Sequence, residues 1–282
     1  MAVYLATMVI GVTSVVLARQ RILAETHLIR ANSVAEAMQK ALLRPIPSAV
    51  GPLRAAGFYQ AGEGGAQVGG DLYDLVRTPF GVRVILGDVR GKGLGAVETV
   101  SSVLGCFRVA AYEWADLAHL AERIELGITR AMQGVADDAE LFVTAVLLEF
   151  PESVSRAPEV RVVNRGHPPP LVVGCPDGPY WLSTAPAPPL GLGHLFPGHA
   201  QVTSHPLTAI EVLVVYTDGV TEARDSSGAF YPLRDRLADH FDGQVTNPAV
   251  IASFVQHDTE RWCSDSPDDR ALLAIALADE HQ

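Results

Sequence analysis

VRVILGDVRGKGLGA, residues Val82 to Ala96, opens as a strand and closes as the start of a helix. Val82, Val84, Ile85 and Leu86 form a β-branched, apolar run, and Asp88 ends it. Gly91, Gly93 and Gly95 follow, and a helical pattern then runs from about Leu94 to Ala115. An acid at the end of a buried strand, beside glycines that let a ligand approach the backbone, suits a cation. Taken alone it is equally a turn aspartate, and the glycines equally a phosphate loop. Four further segments lie in fixed order around this one: GGDLYD (Gly69 to Asp74), NRGHPPP (Asn164 to Pro170), YTDGVTEA (Tyr216 to Ala223) and PDDRALLAI (Pro267 to Ile275). Several of these acids sit at or just past an apolar run, as when a fold gathers carboxylates at the rim of a sheet. Carboxylates so gathered need a cation between them to stay charged. Oxygen-only ligands suit Mg²⁺ or Mn²⁺.

The rest of the chain reads as α+β. Phe142 to Phe150, Val160 to Val163, Leu171 to Val173, Val212 to Tyr216 and Leu272 to Leu277 are strand signals. A second helix follows Asp116 as N-cap, with Leu117, Leu120, Ile124, Ile128 and Met132 on one stripe and Gly134 as stop. A late helix starts at Asn247-Pro248, cap then first-turn proline, and carries Val250, Ile251, Phe254 and Val255. Strands in runs with helices in blocks indicate an antiparallel core rather than alternating βαβ units. The Pro- and Gly-rich stretch from Pro176 to Pro197 reads as surface loops. There is no internal repeat and no sign of a second globular domain.

The chain has 282 residues, ample for a buried core, with 48% hydrophobic and 19% charged residues. The net charge is −11 and no Lys/Arg-rich run occurs, which argues against a nucleic-acid partner. Cys106, Cys175 and Cys263 are far apart, without zinc spacing, and fit a reducing cytosol. Cys106 and Cys263 fall in helical patterns and read as core thiols; no CxxxxxR loop marks a cysteine nucleophile.

Residues 1–18 stand apart. Ala2 to Ala18 is uncharged and apolar and stops at Arg19 and Arg21. Its length is the lower limit for a membrane span, and arginines on its C-terminal side would keep the large domain cytoplasmic. A signal peptide and a buried or interfacial helix are the competing readings. Residues 19–46 read as a linker helix ending before Pro45, either a solvated connector or a dimerising segment, and residues 47–282 as the main domain.

The five motifs, from about Gly51 to about Ala278, resemble those of the PPM-type metal-dependent protein serine/threonine phosphatases, in the bacterial branch typified by SpoIIE and RsbU. The resemblance implies two stacked antiparallel β-sheets flanked by helices, an αββα sandwich. It implies two divalent cations, Mn²⁺ or Mg²⁺, and a water they activate. Asp88 would bridge the ions, helped by the Val89 carbonyl; Asp71 would hold the second and Asp218 and Asp268 the first. Loss of Asp88 or Asp218 would abolish turnover. Asp269 would cap a turn or hold a water, and Asp74 would either support the site or be structural. Lys92 is a candidate phosphate contact. Arg165, where the family usually has a small residue, either reaches phosphate or faces solvent. His167 invites a general-acid reading but reads better as a structural histidine in a proline-fixed turn, Thr144 reads as a core or sheet-edge hydroxyl, and Glu222 equally as an acid of the site or a solvated helix residue. Ala271 departs from the pattern, which commonly has Thr there. The implied substrate is a phosphorylated regulatory protein such as an anti-sigma-factor antagonist. The alternatives are a membrane-tethered, non-catalytic partner-binding module of the same fold and a phosphohydrolase of small phosphate esters.

Overall fold

The structure is a computed structural model and describes residues 1–62, 69–132, 141–152, 158–195, 200–241, 247–263 and 268–278. Helix α1 runs unbroken over Ala2–Leu42, across both N-terminal segments, and stops ahead of Pro45. The strands are β1 (Ala49–Val50), β2 (Leu53–Gln60), β3 (Asp71–Thr78) and β4 (Gly81–Val89). Helices α2 (Leu94–Glu113) and α3 (Leu117–Met132) follow. Then come β5 (Val143–Phe150), β6 (Glu159–Arg165), β7 (Leu171–Val173), β8 (Tyr180–Trp181), β9 (Thr203–Pro206) and β10 (Val212–Tyr216). Helices α4 (Asp218–Thr221), α5 (Leu233–Phe241) and α6 (Pro248–Trp262) lead to the last strand, β11 (Arg270–Leu277).

The strands form two sheets. One has the order β1-β2-β11-β10-β7-β8, the other β3-β4-β5-β6-β9, and the named strand pairs are antiparallel. Side-chain alternation on β11 shows the layering. Ala271, Leu273 and Ile275 join the core that also holds β4, β5 and α2, while Leu272, Ala274 and Ala276 join the one built with α5 and α6. Helices therefore cover the outside of both sheets, as the α+β reading requires.

β4 is buried along its length except at Asp88, because it is flanked by β3 and β5 and covered by α2. That explains why VRVIL is a continuous apolar run instead of an alternating one. Its exception is Arg83, fully buried and paired with Glu149. Arg83 Nη1 donates to the carbonyls of Ala111 at 2.9 Å and Trp114 at 2.5 Å, and Nη2 to that of Ala115 at 2.7 Å, so it caps the C-terminal end of α2.

Local signals set the helix starts. Asp116 Oδ1 accepts from His119 N at 2.9 Å, and Asn247 Oδ1 from Ala249 N at 3.0 Å with Pro248 in the first turn. Leu117, Leu120, Ile124 and Ile128 form the buried stripe of α3. The expected stop at Gly134 lies outside the described residues. Among the described residues, α2 is the helix long and apolar enough to cross a membrane. Val100, Val103, Leu104 and Phe107 are fully buried, so α2 is a core helix.

Candidate metal centre

The β3–β4 register sets Asp71 opposite Asp88, and β4–β5 sets Asp88 opposite Thr144. In the other sheet β10 ends at Tyr216, and Asp218 opens α4 two residues later. Asp268 and Asp269 precede β11, whose Leu272 pairs with Tyr216. Four segments thus bring their acids to one end of the sandwich. Thr217 joins the two sheets there. Its hydroxyl donates to Asp71 Oδ2 at 2.8 Å and accepts from Ala271 N at 2.9 Å, while Thr217 N donates to Ala271 O at 3.0 Å.

Close backbone approach explains two of the motif glycines. A Cβ on Gly70 would lie 2.3 Å from the Val89 carbonyl, and one on Gly219 would lie 1.9 Å from that of Asp269. Neither space admits a side chain.

The carboxylates act on one another. Burial first, then the charges of Asp88, Asp269 and Asp218, push the Asp71 carboxyl well above the usual range; the Thr217 hydroxyl opposes this. Burial, with Asp218, Asp268 and Asp269, pushes Asp88 up to about 8, against Lys92. Asp218 is raised by burial, Glu222 and Asp268. Oxygen donors that resist carrying their charges together are the donor set that a hard divalent cation fits. Among the described residues, no three such side chains are gathered closely enough to ligate one ion. Lys92 Nζ lies 3.2 Å from Asp268 Oδ1, and both side chains are open to solvent.

Asp269 is held differently from Asp268. It is buried, its Oδ2 lies 2.6 Å from the Tyr59 hydroxyl, and its Oδ1 accepts from Gly62 N at 3.0 Å. Asp74 faces away from this cluster toward α2: its Oδ2 accepts from Arg108 Nε at 2.5 Å and its Oδ1 from Leu75 N at 2.8 Å. Arg165 is buried and turned into the protein instead of toward a phosphate or solvent. Its Nη2 donates to Glu125 at 2.8 Å and its Nε to the Pro188 carbonyl at 2.7 Å. Glu125 also accepts from Gly191 N and Gly193 N, so the pair clamps a loop. Glu222 is exposed beside Asp218.

His167 is buried under the site. The Tyr216 carbonyl can only accept, so Nε2 carries the proton that bonds it at 3.1 Å, and Nδ1 accepts from the Thr144 hydroxyl at 3.0 Å. Burial lowers its pKa to about 3, so the ring stays neutral. Three residues at the site carry no isolated sequence signal: Thr217, Tyr59 and Gln39, whose Nε2 donates to the Asp71 carbonyl at 3.1 Å. Only Thr217 lies inside a quoted motif.

Two antiparallel sheets under helices, with acids at one end, form the fold that solved PP2C-type phosphatase domains share. The RsbU and RsbW domains of a Mycobacterium tuberculosis protein superpose with a TM-score of 0.62 at 23% identity, covering 80% of this chain and 60% of that one. The SiaA PP2C domain of Pseudomonas aeruginosa gives 0.68 at 15% identity, over 93% and 98% of the two chains. The catalytic domain of the serine/threonine protein phosphatase PstP, in complex with 2 manganese ions, gives 0.57 at 12% identity over 80% and 99%. At these identities the likeness is one of fold. The Stage II sporulation protein E (SpoIIE) family model matches residues 78–278, and the chain belongs to that family.

Proposed function

We propose that this chain hydrolyses phosphoserine and phosphothreonine on a phosphorylated regulatory protein, with two divalent cations, Mn²⁺ or Mg²⁺, as cofactors. The observation that supports it most is the set of mutually repelling carboxylates of Asp71, Asp88, Asp218 and Asp268 at one end of the sandwich. On this reading Asp88 serves both ions, Asp71 and the Val89 carbonyl serve one, and Asp218 and Asp268 serve the other. Two cations so held would activate a water and offset charge on the phosphoryl oxygens. On the same reading Lys92, which lies beside Asp268, would meet the phosphate. Asp269, Thr217 and Tyr59 hold the surrounding backbone in place. His167 stays neutral and moves no proton.

A small phosphorylated regulator, such as an anti-sigma-factor antagonist, is the substrate suggested by likeness to SpoIIE and RsbU. Residues 2–18 anchor the chain in a membrane, with Tyr4, Met8, Val15 and Leu17 exposed along α1 to meet lipid. The exposed Val34 and Met38 further along α1 suit a helix that pairs in a homodimer.

Phosphate release from a phosphoserine peptide, an aryl phosphate and a nucleotide, each with Mn²⁺, Mg²⁺ or EDTA, tests the reading. Release is expected only with a metal, fastest from the peptide relative to the nucleotide, and nearly lost in Asp218→Asn and Asp88→Asn. Release in EDTA, or undiminished turnover in both variants, would refute it.

A further inference from the structure

We propose that Gln39, near the C-terminal end of α1, is a positioning residue for the metal centre, so that the catalytic unit begins inside α1. This rests on the metal-centre reading above. Gln39 is completely buried. Its Nε2 donates to the Asp71 carbonyl at 3.1 Å. A carbonyl only accepts, so that bond fixes the amide and turns Oε1 toward the Tyr59 hydroxyl, 2.9 Å away. The same hydroxyl lies 2.6 Å from Asp269 Oδ2. Burial, then the charge of Asp269, raises the Tyr59 phenol well above its usual range, so it keeps one proton to offer two acceptors.

One buried amide thus touches both sheets at the acidic end: β3 through Asp71, and β2 through Tyr59, whose hydroxyl also meets Asp269 just ahead of β11. An apolar side chain would seat α1 at lower desolvation cost. The amide is explained by its two polar partners, both part of the candidate site. The Tyr59 ring packs on the buried core and is half-buried. A cavity of about 370 Å³, lined also by Lys40, Leu43, Ile46, Gly57 and Tyr73, borders it. Hydrogen bonds hold the hydroxyl in place. The end of α1 is itself tied down. Leu42 O accepts from Arg108 Nη2 at 3.0 Å, Arg108 pairs with Asp74, and Ala35 packs on Val97 of α2.

The test is Mn²⁺ binding to the full chain, followed by the electron paramagnetic resonance of free Mn²⁺, with thermal unfolding in EDTA measured alongside. Gln39→Met keeps the shape and loses both bonds; Tyr59→Phe keeps the ring and loses the hydroxyl. Each is expected to weaken Mn²⁺ binding about tenfold, as loss of a group that orients a metal ligand does. Lys40→Ala, one residue on and paired with Glu36, is expected to leave it unchanged. A Gln39→Met chain that melts lower in EDTA but binds Mn²⁺ as tightly as the unaltered chain overturns the proposal. If Gln39→Met does not fold, unchanged affinity in Tyr59→Phe overturns it alone. No Mn²⁺ uptake by the unaltered chain, or undiminished uptake by Asp218→Asn, removes the metal centre itself and Gln39's role with it.

Discussion

Asp88 holds its proton up to about pH 8, against 3.8 for an ordinary aspartate, and Asp71 and Asp218 are shifted the same way. Between those limits the folded, metal-free protein binds more protons than the unfolded chain, so its stability falls as pH rises. His167 has the opposite sign. Its pKa is lowered to about 3, so its contribution is present above 6.5 and lost as pH falls below that. From pH 6.5 to 8 only the carboxylate effect remains. The melting temperature in EDTA is expected to drop over that interval. Added Mn²⁺ should raise it more at pH 8 than at 6.5, because the cation takes the place of the proton. A flat profile in EDTA would show that neither burial nor mutual repulsion holds protons on these carboxylates.

At the level of elements, the centre depends on β4 being buried and covered by α2. Arg83 joins those two elements, with Glu149 on one side and the last carbonyls of α2 on the other. Arg83→Met leaves three carbonyls without this donor and leaves Glu149 with Arg161 as its other arginine. It is expected to cost about 3–5 kcal/mol in urea unfolding, as when one member of a buried pair is removed. A loss below about 1 kcal/mol, the range of exposed pairs, would show that the bonds add little beyond what water gives. The strand β4 and helix α2 are legible in VRVILGDVRGKGLGA because apolar runs and glycines act locally. Arg83 inside that run is not, since its partners come from residues 28 to 66 positions away.

For the whole molecule, α1 joins the apolar N-terminal segment to the centre in one helix. The full chain is expected to co-sediment with phospholipid vesicles at high salt, and a chain lacking residues 2–18 to stay in the supernatant. Equal partition of the two would leave residues 2–18 with no role in membrane attachment.

Residue order alone puts the acids of the motifs beside apolar strands. Asp88, Asp218 and the Asp268-Asp269 pair each stand at the end of an apolar strand, and strand periodicity and glycine placement are local properties. It also sets the starts of α3 and α6, through Asp116 and Asn247. How these acids are held follows from packing between segments far apart in the chain. Thr217 bridges two sheets, Arg165 turns inward to Glu125, His167 is kept neutral, and Gln39 reaches Asp71 from 32 positions away. Those roles depend on which distant polar group lies within about 3 Å after the sheets stack, and no periodicity along the chain encodes that distance.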